Sequence, residues 1–335
     1  MTDSYLKVLK ADPRPWLLEE DNPSVRYFAL TELMDKSLKH PSVKKAKRDI
    51  MKIGPVPTIL FKQRDGGYWD NAEDFYVRAK YRGTVWQLII LANLGADIDD
   101  LQVRQAGEFI LEWSQDRESG GFSYRGNGKG GLHTAVLPCL TGNMLYSLIR
   151  LGFFDDKRVQ HGLKWIENYF RADDGESKPP AVWPYDRFEQ CWGSHTCHMG
   201  LVKILKAISE IPEAKRTPGL RQVSAAGAEH LLKHHLYKSS HDVGNIAKPA
   251  WTKFSFPLMW NTDALEMLGI LAMLGYREER MLDAIELVRS KQDDQGRWNL
   301  ETTFNGRFQV NIERKGKASK WVTLNALRVL KSYYG

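Results

Sequence analysis

The chain has 335 residues, of which 42% are hydrophobic and 27% are charged, and its net charge is +7. This composition predicts a well-packed globular protein and excludes an intrinsically disordered chain. The positive charge favours anionic partners, but no nucleic-acid motif accompanies it, so nucleic acid is not an expected partner.

The chain shows no sign of a membrane or secreted protein. No uninterrupted apolar stretch reaches the length of a transmembrane helix, and residues 1–16 lack the apolar core of a signal peptide. The three cysteines cannot all pair within one chain, so no disulfide framework is expected. These features predict a protein of the reducing cytoplasm.

Apolar segments with helical periodicity recur along the chain, and each is followed by a polar turn and a second, amphipathic segment. Three apolar segments end at a glycine, which suits the left-handed position after a helix. They are residues 82–95, 140–152 and 262–275. The second segments begin with acidic pairs such as Asp99-Asp100 and Asp155-Asp156. Negative side chains at a helix start interact favourably with the positive end of the helix dipole.

The apolar helices are predicted to begin near residues 23, 83, 140, 195, 262 and 319, a period of about 57 residues. Six helix pairs, apolar first and amphipathic second, indicate an inner ring wrapped by an outer ring. The sequence therefore predicts a single all-α domain over residues 1–335, an (α/α)6 toroid of six inner and six outer helices with a few short β-hairpins in its loops. One such hairpin is predicted in residues 300–318, around Asn305-Gly306.

A short motif recurs after the outer helices. Gln63 to Trp69 and Gln292 to Trp298 both read QxxxGxW, and Gln115 to Phe122 is a variant one residue longer. These segments resemble the repeat of the squalene cyclase and protein prenyltransferase β-subunit superfamily, the terpenoid cyclase-type α/α-toroids. The resemblance extends from about Trp16 to Leu330. It implies a central cavity that opens where the inner helices begin.

Thiol and imidazole groups concentrate in residues 191–200, CWGSHTCHMG. Cys197 and His198 fall on the first turn of a predicted inner helix, and Cys139 holds the corresponding position one repeat earlier. Two thiols and one imidazole with an open fourth position form a catalytic zinc pattern, so Cys139, Cys197 and His198 are the predicted ligands. Cys191 or His195 can instead close the site. A metal-free thiol nucleophile, Cys191 or Cys197 with His195 or His198 as base, is the alternative.

The predicted zinc site resembles that of the lanthionine-synthetase cyclases, which are also α-toroids. The segments that carry this resemblance are Cys139-Leu-Thr-Gly142 and Cys197-His198-Met-Gly200. In both segments the glycine is displaced by one position from that family's pattern. The Asp-x-Cys motif of the prenyltransferase zinc site is absent, because Asp263 is followed by Ala264 and Leu265.

Other residues at or before the inner-helix starts are predicted to bind substrate. Arg82 and Lys320 would hold an anionic group, and His133 lies in a leading loop. Aromatic walls would come from Trp192, Trp251, Trp260 and Trp321. Asp263 is the best-placed acid, whereas Asp97-Ile-Asp99-Asp100 matches a class II cyclase motif but stands before an outer helix.

These residues predict a cytoplasmic enzyme of transferase, cyclase or lyase type, dependent on zinc or a thiol, that acts on a small apolar or anionic substrate. His195 and Cys191 would be its base and nucleophile or additional ligands. A metal-free isoprenoid cyclase or transferase with Asp263 as acid is the second hypothesis. The third is a non-catalytic toroid that binds a protein partner.

Overall fold

The regular structure of the protein is almost entirely helical. A computed structural model describes residues 4–335, and within that range one two-stranded sheet accompanies the helices. The α-helices are α1 (Arg14–Leu17), α2 (Pro23–Phe28), α3 (Pro41–Ile50), α4 (Pro55–Phe61), α5 (Thr84–Leu94), α6 (Leu101–Trp113), α7 (Pro138–Arg150), α8 (Lys157–Tyr169), α9 (Glu189–Trp192), α10 (His198–Ser209), α11 (Pro218–Lys233), α12 (Ala264–Met273), α13 (Leu282–Ser290) and α14 (Lys320–Tyr334). The antiparallel strands are β1 (Lys238–Ser239) and β2 (Asp242–Ile246). The prediction of an all-α protein is confirmed.

The chain divides into two compact units, and the division falls inside helix α11. Unit 1 contains the residues up to Phe61, Leu231–Leu258 and Thr262–Gly335, and unit 2 contains Lys62–His230 and Met259–Asn261. The expected single domain over residues 1–335 stays a prediction.

Two of the predicted apolar helices, α5 and α10, are buried around almost their whole circumference. In α5 every residue except Asn93 is buried, and in α10 burial is continuous from Gly200 to Ser209. Helices α6 and α8, by contrast, bury one stripe and expose the opposite face. In unit 2, therefore, fully buried helices alternate with amphipathic ones.

The apolar helices also begin close to the predicted positions. Helices α2, α5, α7, α10, α12 and α14 start at Pro23, Thr84, Pro138, His198, Ala264 and Lys320. Within unit 2, α5 packs on α7 and α7 packs on α10; within unit 1, α12 packs on α14 and α14 packs on α2. Each unit thus contains a series of consecutive apolar helices in contact.

The aromatic residue of each glutamine motif is anchored in the same way. Its backbone N–H donates to the hydroxyl of a threonine in the first turn of the apolar helix that follows. These bonds join Trp69 to Thr84 at 3.2 Å, Phe122 to Thr141 at 2.9 Å and Trp298 to Thr323 at 3.0 Å. All three aromatic side chains are buried. The sequence repeat is therefore a repeated structural device.

The glutamine of each motif binds the backbone near the start of another helical segment. The Gln63 amide donates to the Gln102 carbonyl and the Gln115 amide to the Arg158 carbonyl. In the last copy the Gln292 amide oxygen accepts from the N–H of Lys10 at 2.7 Å. A β-carbon at Gly296 would lie 2.0 Å from the Ala11 carbonyl oxygen, so only glycine permits this approach. The last motif thus holds the N-terminal segment of its own unit.

The hairpin prediction for residues 300–318 is wrong. That segment is an irregular loop, closed by a single antiparallel bridge between Asn299 and Ala318. Its two ends are joined by backbone hydrogen bonds of Leu300 with Gly316 and Lys317, but no β-ladder continues from them toward Asn305-Gly306. The N–H groups of Glu301 and Thr302 donate instead to the Phe254 carbonyl in a different loop. The strands β1 and β2 form the ladder in the described residues.

Acidic residues cap the outer helices as expected. The Asp100 carboxylate accepts from the N–H groups of Gln102 and Val103, at 2.9 Å and 3.2 Å, and Asp156 caps α8 in the same way. The segment that matches a class II cyclase motif therefore starts a helix. Across residues 4–335, no helix is at once long and apolar enough to cross a membrane.

The threonine anchors give a direct test of the repeat. Replacement of Thr141 by valine should lower the free energy of unfolding by about 1–3 kcal/mol, because it leaves the buried Phe122 N–H without an acceptor. Guanidinium unfolding of the variant measures this loss. Thr58→Val is the matched control, since the exposed Thr58 hydroxyl bonds only within its own helix. Equal losses in the two variants would contradict the anchoring role.

Candidate functional site

The three cysteines lie in one region of unit 2. Cys139 is in the first turn of α7, Cys191 is in α9, and Cys197 caps the start of α10. The Cys191 and Cys197 thiols form a hydrogen bond, and Cys139 interacts electrostatically with both. Cys191 is buried, and the other two are half-buried. The structure therefore brings together the thiols that the sequence analysis singles out.

This environment keeps Cys139 and Cys191 protonated. Burial raises the pKa of Cys139 to about 12, and the nearby Cys197 adds to the effect. The hydrogen bond with Cys197, followed by burial, raises the pKa of Cys191 well above its usual range. Burial and the thiols of Cys139 and Cys191 raise the pKa of Tyr76 in the same way. Because the thiolate is the nucleophile and the metal ligand, neither thiol is activated at neutral pH.

A group of three histidines can hold a metal ion. One ligand atom from each of His198, His230 and His234 lies within 4.8 Å of the other two. His198 is the first residue of α10, and His230 is buried in the last turn of α11. His234 comes directly after the end of α11, four residues beyond His230. The rings of His198 and His230 are 5.8 Å apart between centroids. We call these three residues the histidine triad.

The orientation of His234 is set by the backbone. Its Nδ1 atom lies 3.0 Å from the Lys238 carbonyl oxygen. A carbonyl only accepts hydrogen bonds, so this contact favours the tautomer with hydrogen on Nδ1 and leaves the Nε2 lone pair as the ligand atom. Such contacts from the second ring nitrogen commonly orient metal-binding histidines.

The histidine triad shares one residue with the predicted metal set. His198 belongs to both, but its partners in the triad are His230 and His234, whereas the prediction paired it with Cys139 and Cys197. The sequence analysis named neither His230 nor His234 as a ligand. The available signal was the four-residue spacing of His230 and His234, which places two imidazoles on one face of a helix.

The other predicted catalytic residues have separate surroundings. His195 is largely exposed, and its Nδ1 atom lies 3.6 Å from a carboxylate oxygen of Asp174. Asp263 is buried in unit 1 at the N-cap of α12. One of its oxygens accepts from the Glu266 N–H at 2.8 Å and the other from the Ser255 N–H at 3.0 Å. Both oxygens of Asp263 thus stabilise the backbone.

The predicted cations are bound to carboxylates of the chain. Lys320 is buried in unit 1 and forms ion pairs with Glu19 and Asp21. The Glu313 carboxylate accepts from the Lys320 N–H at 2.8 Å and from the Ser319 hydroxyl, which fills the start of α14. Burial raises the pKa of Glu313. Arg82, in unit 2, pairs with Asp70 at 3.1 Å.

The predicted tryptophans divide between the two units. In unit 1, Trp321 stacks on Phe256 at 4.2 Å, and Trp251 is buried beside Lys248. In unit 2, Trp192 meets Tyr185 edge to face, and the Trp260 indole donates to the Tyr81 hydroxyl at 3.0 Å. The buried indole N–H groups of Trp192 and Trp321 have no hydrogen-bond acceptor among residues 4–335.

His133 is held by its neighbours in unit 2. Its Nδ1 atom lies 2.8 Å from a carboxylate oxygen of Asp116, which is buried. Its ring stacks on Trp183 with a centroid distance of 3.9 Å. The indole of Trp183 also donates to the His133 carbonyl at 3.1 Å. The predicted substrate-binding residue is therefore part of an Asp–His pair.

Comparison with known proteins adds little. The chain matches no model of a known protein family, and it matches no curated protein sequence. Among solved structures it is similar to a sugar epimerase from a ruminal bacterium, with 14% sequence identity and a TM-score of 0.42. That match covers 73% of this chain and 69% of the epimerase. A likeness this weak carries no functional argument.

Alkylation by iodoacetamide tests the protonation of Cys139. With a pKa of about 12, about one thiol in 10,000 is ionised at pH 8. We expect Cys139 to react about 1,000-fold more slowly in the folded protein than in the urea-unfolded chain, as measured by peptide mapping.

The pH dependence separates protonation from simple shielding. Between pH 8 and pH 10 the rate for folded Cys139 should rise about tenfold per pH unit, whereas the rate for the unfolded chain levels off above about pH 9. A flat profile for the folded protein would contradict the raised pKa.

Proposed function

We propose that the chain has the (α/α)6 toroid fold of the terpenoid cyclase type. Three repeated anchors between an aromatic N–H and a threonine support this proposal. So do the consecutive contacts of apolar helices within each unit. The hydrogen bond from the Lys10 N–H to Gln292 is further support, because it joins the last motif to the N-terminal segment.

We infer that this protein is a zinc-dependent enzyme and that the histidine triad is its metal site. The observation that carries this inference is the convergence of three imidazole nitrogens within 4.8 Å. Three histidine ligands with a fourth position open are one of the known catalytic zinc patterns. A bound zinc ion would act as a Lewis acid or lower the pKa of a bound water molecule.

Neutral imidazole suits this role better than the thiols do. Histidine binds zinc without losing a proton from its neutral form, whereas Cys139 and Cys191 must first ionise against raised pKa values. The proposed substrate is a small apolar or anionic molecule, in keeping with the resemblance to isoprenoid enzymes.

The other two hypotheses have less support. The metal-free cyclase needs Asp263 as an acid, but both oxygens of Asp263 accept backbone N–H groups. The non-catalytic binding toroid is favoured by no particular contact in the described residues. The zinc enzyme is therefore the function that the geometry supports best.

Zinc binding tests the histidine triad. We expect one zinc ion per chain by elemental analysis after dialysis against zinc. His230→Ala and His234→Ala should each lower the affinity by more than about 100-fold, since even the loss of a partner outside the ligand shell costs 10–100-fold. His235→Ala is the matched control, because His235 is adjacent but pairs with Asp283.

The cysteine variants decide between the two ligand sets. Cys139→Ser and Cys197→Ser should leave the zinc content unchanged if the histidine triad holds the ion. Zinc lost in these variants but kept in His230→Ala would support the ligand set predicted from the sequence. A folded wild-type protein that binds no zinc would overturn the proposal.

Turnover tests the substrate class separately. Farnesyl diphosphate is a suitable probe because it is both apolar and anionic. We expect the zinc-loaded protein to release diphosphate from it, and we expect a chelator or His230→Ala to reduce the rate at least 100-fold. A protein that binds zinc but leaves this probe intact would contradict the isoprenoid substrate and not the metal site.

A further inference from the structure

Asp116 and His133 form a second reactive group, distinct from the histidine triad. We propose that they are an acid–base pair, in which Nε2 of His133 accepts a proton from a hydroxyl group of a bound ligand or from water. No member of the triad takes part, so the inference does not rest on the metal site.

The His133 imidazole is fixed on several sides. Asp116 binds Nδ1 at 2.8 Å, Trp183 covers one ring face, and the Trp183 indole holds the His133 carbonyl. In the described part of the chain, no group lies within hydrogen-bond distance of Nε2. The side chain is 33% exposed. The nitrogen opposite Asp116 is therefore oriented and reachable.

The negative charge of Asp116 is directed at His133. Its carboxylate also accepts from the N–H and hydroxyl of Ser119, which are neutral groups. No lysine or arginine among residues 4–335 is within ion-pair distance of it. Glu118, 3.8 Å from Nδ1, adds a second negative charge. In this arrangement the carboxylate orients the imidazole and faces the charge that forms when Nε2 takes a proton, the role of the acid in catalytic Asp–His pairs.

Two other Asp–His pairs in the protein lack this combination. The Nδ1 atom of His195 is 3.6 Å from Asp174, too far for a hydrogen bond. His235 is 2.8 Å from Asp283, but the same carboxylate oxygen binds the Lys238 ammonium at 2.6 Å. A cation on the carboxylate opposes a second positive charge on the imidazole. Of these three histidines, His133 is thus the one best placed to act as a base.

The proton balance of the step is simple. The ligand hydroxyl or water loses its proton to Nε2, and the electron pair of the broken O–H bond stays on oxygen as the nucleophile. Asp116 balances the positive charge of the imidazolium without taking its proton. When the oxygen bonds to an electrophilic atom of the ligand, the bond from that atom to the leaving group breaks, and the imidazolium gives its proton to the leaving group. The proposed ligand is therefore a compound that reacts through a hydroxyl group, its own or that of water.

Two measurements on the wild-type protein test this proposal. Long-range ¹H–¹⁵N spectra should show the His133 tautomer with hydrogen on Nδ1 and none on Nε2. Diethyl pyrocarbonate acylates an unprotonated imidazole nitrogen, and peptide mapping should show His133 modified about tenfold faster than the more exposed His195. Hydrogen on Nε2, or His133 reacting no faster than His195, would overturn the proposal.

A pair of variants tests the contribution of Asp116. Asp116→Asn should shift the tautomer toward Nε2–H and slow the modification of His133 about tenfold, the effect of one charge-assisted hydrogen bond. Asp293→Asn is the matched control. Asp293 occupies the same place in another glutamine motif and accepts from the Gln295 and Arg297 N–H groups, but it has no histidine partner. Equal effects of both variants on His133 would indicate a structural role only.

Discussion

The candidate site depends on the close contact between the backbones of α7 and α10. A β-carbon at Gly142 would lie 2.4 Å from the carbonyl carbon of Lys203, and one at Gly200 would lie 3.1 Å from the Pro138 ring. Only helices without side chains at these points can approach so closely. This contact places Cys139 beside Cys197 and fixes the helix start that carries His198. A larger residue at Gly142 would push α7 away from α10 and so move Cys139 away from Cys197, although no cysteine is replaced.

Most of the helical architecture could be predicted because its signals are local. Helix α5 is apolar around its circumference, and Gly95 ends it in a left-handed conformation with φ of 75°. The outer helices carry one apolar stripe and an acidic cap such as Asp100. The loop of residues 300–318 could not be predicted. Its backbone N–H groups bind the Phe254 carbonyl, and the alternation of polar and apolar residues in the loop does not reveal this partner.

The site was only partly predictable, for a related reason. The position of His198 followed from the helix repeat, since it depends on where α10 begins. Its grouping with His230 depends instead on how α10 and α11 face each other. The partners of Lys320 were equally hidden, because Glu19 and Asp21 lie near the other end of the chain. The positive charge of Lys320 predicted an anion-binding site, but the anions that bind it are carboxylates of the chain itself.

The proximity of the thiols to His198 raises the question of which groups a metal ion would choose. A soft thiolate is the stronger zinc ligand once it is formed, but its formation releases a proton at a cost set by its pKa. Burial raises the pKa of Cys139 to about 12, so at pH 7 this thiol is protonated before a metal ion binds. The Nδ1 contact of His234 with the Lys238 carbonyl already favours the ligating tautomer of the imidazole. At neutral pH the balance therefore lies with the imidazoles, and it moves toward the thiols only as the pH rises toward the pKa of Cys139.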